Sequence, residues 1–143
     1  MYIIKTEQTF AAAHFLKGYE GKCSNLHGHE WKVEARIFSE GLIPEGSCRD
    51  MVMDFSDLKQ ALTDLLEPFD HVTIAEAGSL APRTLEAFSQ EGFTVVEVPF
   101  RPTAESFARY FYEELKKAGY PVSDVTVYET SGNSALYREE STC

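Results

Sequence analysis

The chain has 143 residues, 43% of them apolar, with 13 Lys plus Arg against 23 Asp plus Glu and a net charge of −10. That length suits one compact domain with a real core, and the acidic balance works against nucleic acid and anionic membrane as partners. No apolar run approaches the ~18 residues of a membrane span, and Met1 to Phe10, carrying Lys5, Glu7 and Gln8, lacks the layout of a signal peptide, so a cytoplasmic protein is expected.

Tyr2 to Phe15 reads as a strand, and Gly18 and Gly21 bracket a loop running to about Gly28. Trp31 to Ser39 alternates, with Trp31, Val33, Ala35 and Ile37 on one side and Lys32, Glu34 and Arg36 on the other, the mark of a half-buried strand. Gly41 to Asp50, with Pro44 and Gly46, reads as a hairpin loop leading into a short return strand over Met51 to Phe55. Ser56 is placed to cap a helix carrying Leu58, Ala61, Leu62, Leu65 and Leu66, which Pro68 ends. Residues 72 to 92 are ambiguous, with a short helix expected around Pro82 to Ser89 inside an insertion, and Thr94 to Val98 is β-prone. Thr103 is the expected cap of a second strong helix whose stripe of Phe107, Ala108, Phe111, Tyr112 and Leu115 runs to Gly119. Val122 to Glu129 and Ala135 to Arg138 are closing strands around Ser131-Gly132-Asn133. Strands, two helices and strands in that order predict a single α+β domain over residues 1–143, an antiparallel sheet with both helices on one face.

Three cysteines, Cys23, Cys48 and Cys143, make no disulfide framework. Cys48 lies in the Gly-Pro-rich loop and Cys143 ends the chain, so only Cys23 has chemical company, in Cys23-Ser24-Asn25-Leu26-His27-Gly28-His29. If His27 and His29 open a strand, the period of two puts both imidazoles on one face. His14, at the neighbouring strand end, can add a third. Three neutral nitrogens with a fourth position open is the arrangement of catalytic zinc. Gly28 suits the crowding expected there. A lone His-x-His is usually an ordinary surface or core pair, but three of the chain's four histidines fall where adjacent strands can join them. The fourth, His71, follows Asp70 in a loop after a helix.

The motifs then form an ordered set. Cys23-x-x-x-His27-Gly28-His29 after His14, Asp54-Phe55 through Leu58-Lys59, Asp70-His71, Pro102-Thr103-Ala104-Glu105 and Tyr128-Glu129-Thr130 together resemble the 6-pyruvoyl-tetrahydropterin synthase superfamily. The three-residue gap between Cys23 and His27 is similar to the bacterial 6-carboxytetrahydropterin synthases, whereas the animal-type pyruvoyl enzymes have a longer one. The resemblance implies a ββααββ tunnelling-type fold whose sheets join between subunits into a barrel, giving a homo-oligomer, a hexamer first, with pockets where subunits meet. It implies zinc on His14, His27 and His29, Cys23 as the proton-abstracting thiolate tuned by Asp70 and His71, Glu129 on the pterin ring edge, and Thr103 and Glu105 lining the pocket.

The implied reaction converts 7,8-dihydroneopterin triphosphate to 6-carboxytetrahydropterin with release of acetaldehyde and triphosphate, the step feeding deazapurine and queuosine synthesis. The alternatives are a pyruvoyl-forming enzyme that keeps the side chain intact, and a non-catalytic zinc or pterin-binding protein in which Cys23 closes the metal site as a fourth ligand. Candidate phosphate ligands are Lys17, Lys22 and Arg101. Residues 72 to 100 are longer than a compact family member needs, and the tail from Glu139 to Cys143 has no assigned role.

Overall fold

The computed structural model describes residues 1–140, so Cys143 lies outside the described residues. Its central feature is a long antiparallel ribbon. Strand β1 (Tyr2–His14) pairs with β2 (His27–Ser39) from Tyr2 opposite Ser39 to His14 opposite His27. Strand β5 (Val122–Thr130) adds to β2 antiparallel, and β6 (Asn133–Tyr137) adds to β5 antiparallel.

The other side of the sheet corrects the expected antiparallel architecture. Strand β3 (Val72–Glu76) lies parallel to β1, and β4 (Val95–Val98) lies parallel to β3, giving a mixed six-stranded sheet in the order β4-β3-β1-β2-β5-β6. Parallel neighbours need a crossover connection, and between β3 and β4 a helix supplies it. What reads in sequence as an insertion is therefore a strand–helix–strand unit that widens the sheet.

Three helices accompany the sheet: α1 (Phe55–Leu66), the crossover helix α2 (Pro82–Gln90) and α3 (Ala104–Lys117). Helix α1 packs on β1 through Leu58, Leu62 and Leu66, spaced by four residues so that they share a face. Helix α3 packs on β5 and β6 with Phe107, Ala108, Phe111, Tyr112 and Leu115 buried, as its stripe predicts. Thr103 caps α3, its Oγ1 accepting from the Ser106 amide at 3.2 Å, and Gly119 leaves the helix at φ 96°, a conformation costly for residues with a Cβ. Helix α2 lies against β4 and has no fully buried residue.

Two local expectations fail around α1. Residues 51–54 form no strand; the loop before α1 is tied by the Ile43 amide to the Met51 carbonyl at 2.9 Å, and Phe55 is already helical. The cap is Asp54, not Ser56. The Asp54 carboxylate accepts from the Ser56 amide at 2.7 Å, and an acceptor before the first turn satisfies a donor that has no partner within the helix.

The core gathers on the helix-covered face. Phe10 stacks on Trp31 with ring centroids 5.9 Å apart, and Phe107 and Phe111 meet Phe10 edge-on at 6.1 Å. Such pairs add about 0.5–1.5 kcal/mol each beyond the area they bury. The row has a consequence for function. Phe10, Ala12 and His14 are the buried alternate positions of β1, and on β2 the same parity runs from Trp31 back through His29 and His27. The three histidines therefore continue the apolar row at the open end of the core.

Candidate metal centre and active site

His14, His27 and His29 converge, with one ring nitrogen from each within 4.8 Å of the others. The convergence follows from register, because His14 lies directly opposite His27 and Ala12 opposite His29. Trp31, fully buried, sets its ring edge-on to His14 at 4.8 Å and to His29 at 5.5 Å, a rigid floor under the cluster.

Backbone carbonyls orient two of the rings. His14 Nδ1 donates to the Pro102 carbonyl at 2.7 Å, and His27 Nδ1 donates to the Asn25 carbonyl at 2.6 Å. With both Nδ1 atoms carrying the proton, both Nε2 lone pairs are left free, and these atoms face each other at 3.1 Å. Two lone pairs so close repel unless something electron-poor lies between them. His29 Nε2 is buried and has no hydrogen-bond partner among the described residues, although a Glu129 carboxylate oxygen lies 3.3 Å away. Burial lowers the His14 and His29 pKa values below the ordinary 6.5 and the neighbouring histidines lower them further, while the Pro102 carbonyl on His14 and Glu129 on both work the other way. Neutral imidazoles with free, converging lone pairs fit a metal ion, and the carbonyls that hold Nδ1 are the outer contacts that orient such ligands.

Gly28 is not required by crowding, contrary to expectation. A Cβ there would sit 3.6 Å from the Ala12 carbonyl oxygen and 3.9 Å from Ala13 Cα, ordinary contact distances.

Glu129 joins the cluster because β5 continues the same alternation: Val125 and Val127 are buried, and Glu129 follows on that face, half-buried. Cys23 lies in a single 3-10 turn, Lys22–Ser24, and its carbonyl accepts from the Leu16 amide at 2.8 Å, folding the loop back onto the end of β1. Its thiol is half-buried.

Asp70 and His71 form a pair of their own, outside the set of three converging histidines. Asp70 Oδ1 accepts from the Ala11 amide at 2.9 Å while the His71 amide donates to the Ala11 carbonyl at 2.6 Å, so the pair clamps one residue of β1. Asp70 Oδ2 lies 2.9 Å from His71 Nδ1. The Ala11 amide first, and then His71, hold the Asp70 carboxyl below its ordinary pKa of 3.8. His71 adopts φ 58°, rare for a residue with a side chain, and its imidazole is 81% exposed. It borders an open depression that His29 also lines, together with Ala11, Ala13, Gly28 and Glu30, which alternate with the histidine row along their strands. Among the described residues no hydrogen bond links Cys23 to Asp70 or His71.

Thr103 spends its hydroxyl on the α3 cap, and Glu105 is exposed in the first turn of α3. Of the phosphate candidates, Lys17 and Lys22 are exposed, and Arg101 donates from Nη2 to the Lys17 carbonyl at 2.8 Å. Sequence reasoning missed the carbonyls of Pro102 and Asn25, since every residue carries that group. Trp31 was legible, two residues after His29 on the same strand face.

A mixed sheet with a three-histidine, metal-competent cluster at the end of its core, flanked by a carboxylate and a cysteine loop, defines an α+β protein with a candidate metal centre. The family model for 6-pyruvoyl tetrahydropterin synthase matches residues 3–140, and the chain belongs to that family, whose members are lyase-type enzymes. It is 37% identical over 145 residues to the 6-carboxy-5,6,7,8-tetrahydropterin synthase of Haemophilus influenzae, covering 97% of this chain and 100% of that one. It is 38% identical over 129 residues to the protein of that name from Aquifex aeolicus, covering 83% of this chain and 77% of that one. Among solved structures it is similar to an uncharacterized protein of Wolinella succinogenes, with a TM-score of 0.79 and 26% identity over 97% of this chain and 98% of that one. The Caenorhabditis elegans 6-pyruvoyl tetrahydropterin synthase follows at a TM-score of 0.66 and 26% identity, covering 98% of both chains. No helix among the described residues is long and apolar enough to cross a membrane.

Proposed function

We propose that the protein converts 7,8-dihydroneopterin triphosphate and water to 6-carboxytetrahydropterin, acetaldehyde and triphosphate, with zinc held by His14, His27 and His29. The observation that carries the reading is the free, converging Nε2 pair of His14 and His27 beside the unpartnered Nε2 of His29. The relatives at 37% and 38% identity carry the name of the carboxy-forming enzyme, which favours it over the pyruvoyl-forming alternative. When bound, zinc supplies Lewis-acid stabilisation of negative charge on the substrate's side-chain oxygens.

The chain's own residues supply the rest. Glu129 ends β5 beside the cluster, where its carboxylate can accept two parallel hydrogen bonds from the exocyclic amine and adjacent ring N–H of a pterin. Cys23 takes the proton from the substrate side chain as a thiolate, the form a free thiol reaches only slightly at neutral pH. The Asp70–His71 pair provides the needed base: Asp70 fixes Nδ1 as the protonated nitrogen, which leaves Nε2 as the acceptor. Thr103 and Glu105 lie at the start of α3, next to the Pro102 carbonyl that holds His14, and border the pocket in this reading.

The exposed His71 and the absence of a hydrogen bond from its pair to Cys23 support a pocket completed by a second copy of the chain. One chain would bring Cys23 and the histidines, its neighbour Asp70 and His71. Zinc-loaded protein incubated with dihydroneopterin triphosphate should yield acetaldehyde and a carboxypterin by mass. A pyruvoyl pterin without acetaldehyde would establish the alternative activity, and no turnover would leave a binding protein.

A further inference from the structure

Arg101 sits at a junction that its expected role as a phosphate ligand leaves unexplained. It immediately precedes Pro102, whose carbonyl holds His14 at 2.7 Å. Its side chain runs the other way, into the loop that carries Cys23. There Nη2 donates to the Lys17 carbonyl at 2.8 Å, and the guanidinium lies 6.0 Å from the centroid of the Tyr19 ring.

The loop has few other ties to the body of the protein. Its hydrogen bonds are short-range: the Leu16 amide to the Cys23 carbonyl at 2.8 Å, Tyr19 to Leu16 at 3.2 Å, Ser24 to Gly21 and Asn25 to Lys22, both at 3.1 Å, the Ser24 hydroxyl to the Gly21 carbonyl at 2.7 Å, and His27 Nδ1 to the Asn25 carbonyl at 2.6 Å. Tyr19 is itself packed on Gly21, where an added Cβ would lie 2.7 Å from the ring. A loop held mainly by itself keeps its shape yet can move as a unit. The Arg101 bond is the side-chain contact that ties it to the start of α3.

We propose that Arg101 is a positioning residue: its bond to the Lys17 carbonyl, beside Tyr19, holds the Cys23 loop in register with the histidine cluster. Adjacent residues then fix the two halves of the site to one point, Arg101 the thiol loop and Pro102 the His14 ring. A guanidinium bonded to a carbonyl is also less available to a phosphate, which leaves Lys17 and Lys22 as the freer cations of this loop. The catalytic consequence rests on the proposed reaction, whereas the loop's tether can be tested without it.

Arg101→Met keeps the aliphatic stem and removes the donor; Arg101→Lys restores a donor and the charge at similar reach. Hydrogen exchange at Leu16, Tyr19, Ser24 and Asn25, and the rate of iodoacetamide labelling at Cys23, read the loop directly. Arg101→Met is expected to speed exchange at these amides about tenfold and to change Cys23 labelling, with zinc content at the wild-type level and Arg101→Lys partly restoring both. With dihydroneopterin triphosphate, kcat should fall about 10- to 100-fold with KM nearly unchanged. Loop exchange equal to wild type in Arg101→Met would overturn the proposal. So would a raised KM with kcat intact at saturation, the pattern of a phosphate ligand. If wild-type protein proves inactive on this substrate, the proposed reaction fails, and exchange and labelling alone decide the tether.

Discussion

His14 and His27 face each other across the β1–β2 ribbon with their Nε2 atoms 3.1 Å apart, while a backbone carbonyl takes each Nδ1. Neither ring can turn away without giving up a hydrogen bond, so the lone pairs stay aimed at a common point. Replacing His14, His27 or His29 singly by alanine should lower zinc affinity about 100-fold or more, since a ligand matters at least as much as its outer contacts. Chelator competition measures this, and turnover should vanish with the metal. Full zinc occupancy in His14→Ala would remove His14 from the site.

Glu129→Ala should act on the pterin more than on the metal. A truncated carboxylate leaves a pair of buried donors unmatched, a loss of roughly 2–4 kcal/mol for a charge-assisted pair. Zinc content should stay near wild type while pterin affinity falls. Because Glu129 lies 3.3 Å from His29, a parallel loss of zinc would assign the carboxylate to the metal centre instead.

Asp70 makes stability depend on acid pH. Its folded pKa is depressed, so the unfolded chain binds more protons in the acid range and stability rises with pH there. The contribution is complete above the ordinary carboxylate pKa of 3.8 and disappears as pH falls through the lower folded value. Asp70→Asn should therefore be slightly less stable than wild type at neutral pH, by less than about 1 kcal/mol, because the amide still accepts from Ala11 and solvent screens the lost charge of this partly exposed side chain. The gap in urea midpoint between the two should close below pH 4. A gap unchanged into the acid range would show that Asp70 does not act through its charge.

The histidine cluster was legible because strand alternation and the His27-x-His29 spacing act locally. Period two puts His27, His29 and Trp31 on one face wherever the strand pairs, and only the pairing of His14 with His27 had to come from tertiary structure. The sheet was less legible. Val72 to Glu76 and Val95 to Val98 are short, apolar and separated by a helix, and a run of that kind does not state whether its neighbour is parallel. The false strand at 51–55 has a similar origin. Met51, Val52 and Met53 look β-prone in isolation, but Asp54 commits the chain to a helix one residue later. That Cys23 makes no hydrogen bond to the Asp70–His71 pair among the described residues had no local signal at all, since both lie in loops whose placement depends on what each loop packs against.

The missing contact and the exposed His71 imidazole support the last prediction. The mixed sheet leaves β4 and β6 as edges, each with unpaired backbone groups that another copy of the sheet can satisfy. A homo-oligomer is expected, with a hexamer favoured, and sedimentation should give a multiple of the 16.1 kDa chain. A shared pocket has a sharper signature than mass. Cys23→Ala and His71→Ala should each be inactive alone. Chains of the two kinds, unfolded together and refolded as mixed oligomers, should recover roughly a quarter of wild-type activity, because a pocket works only where an intact Cys23 meets an intact His71 from its neighbour. If both residues of a pocket come from one chain, no mixture can contain a working site and the mixed sample stays inactive. A fully active monomer would equally rule out the shared pocket and would require the Cys23 loop and His71 to meet within one chain.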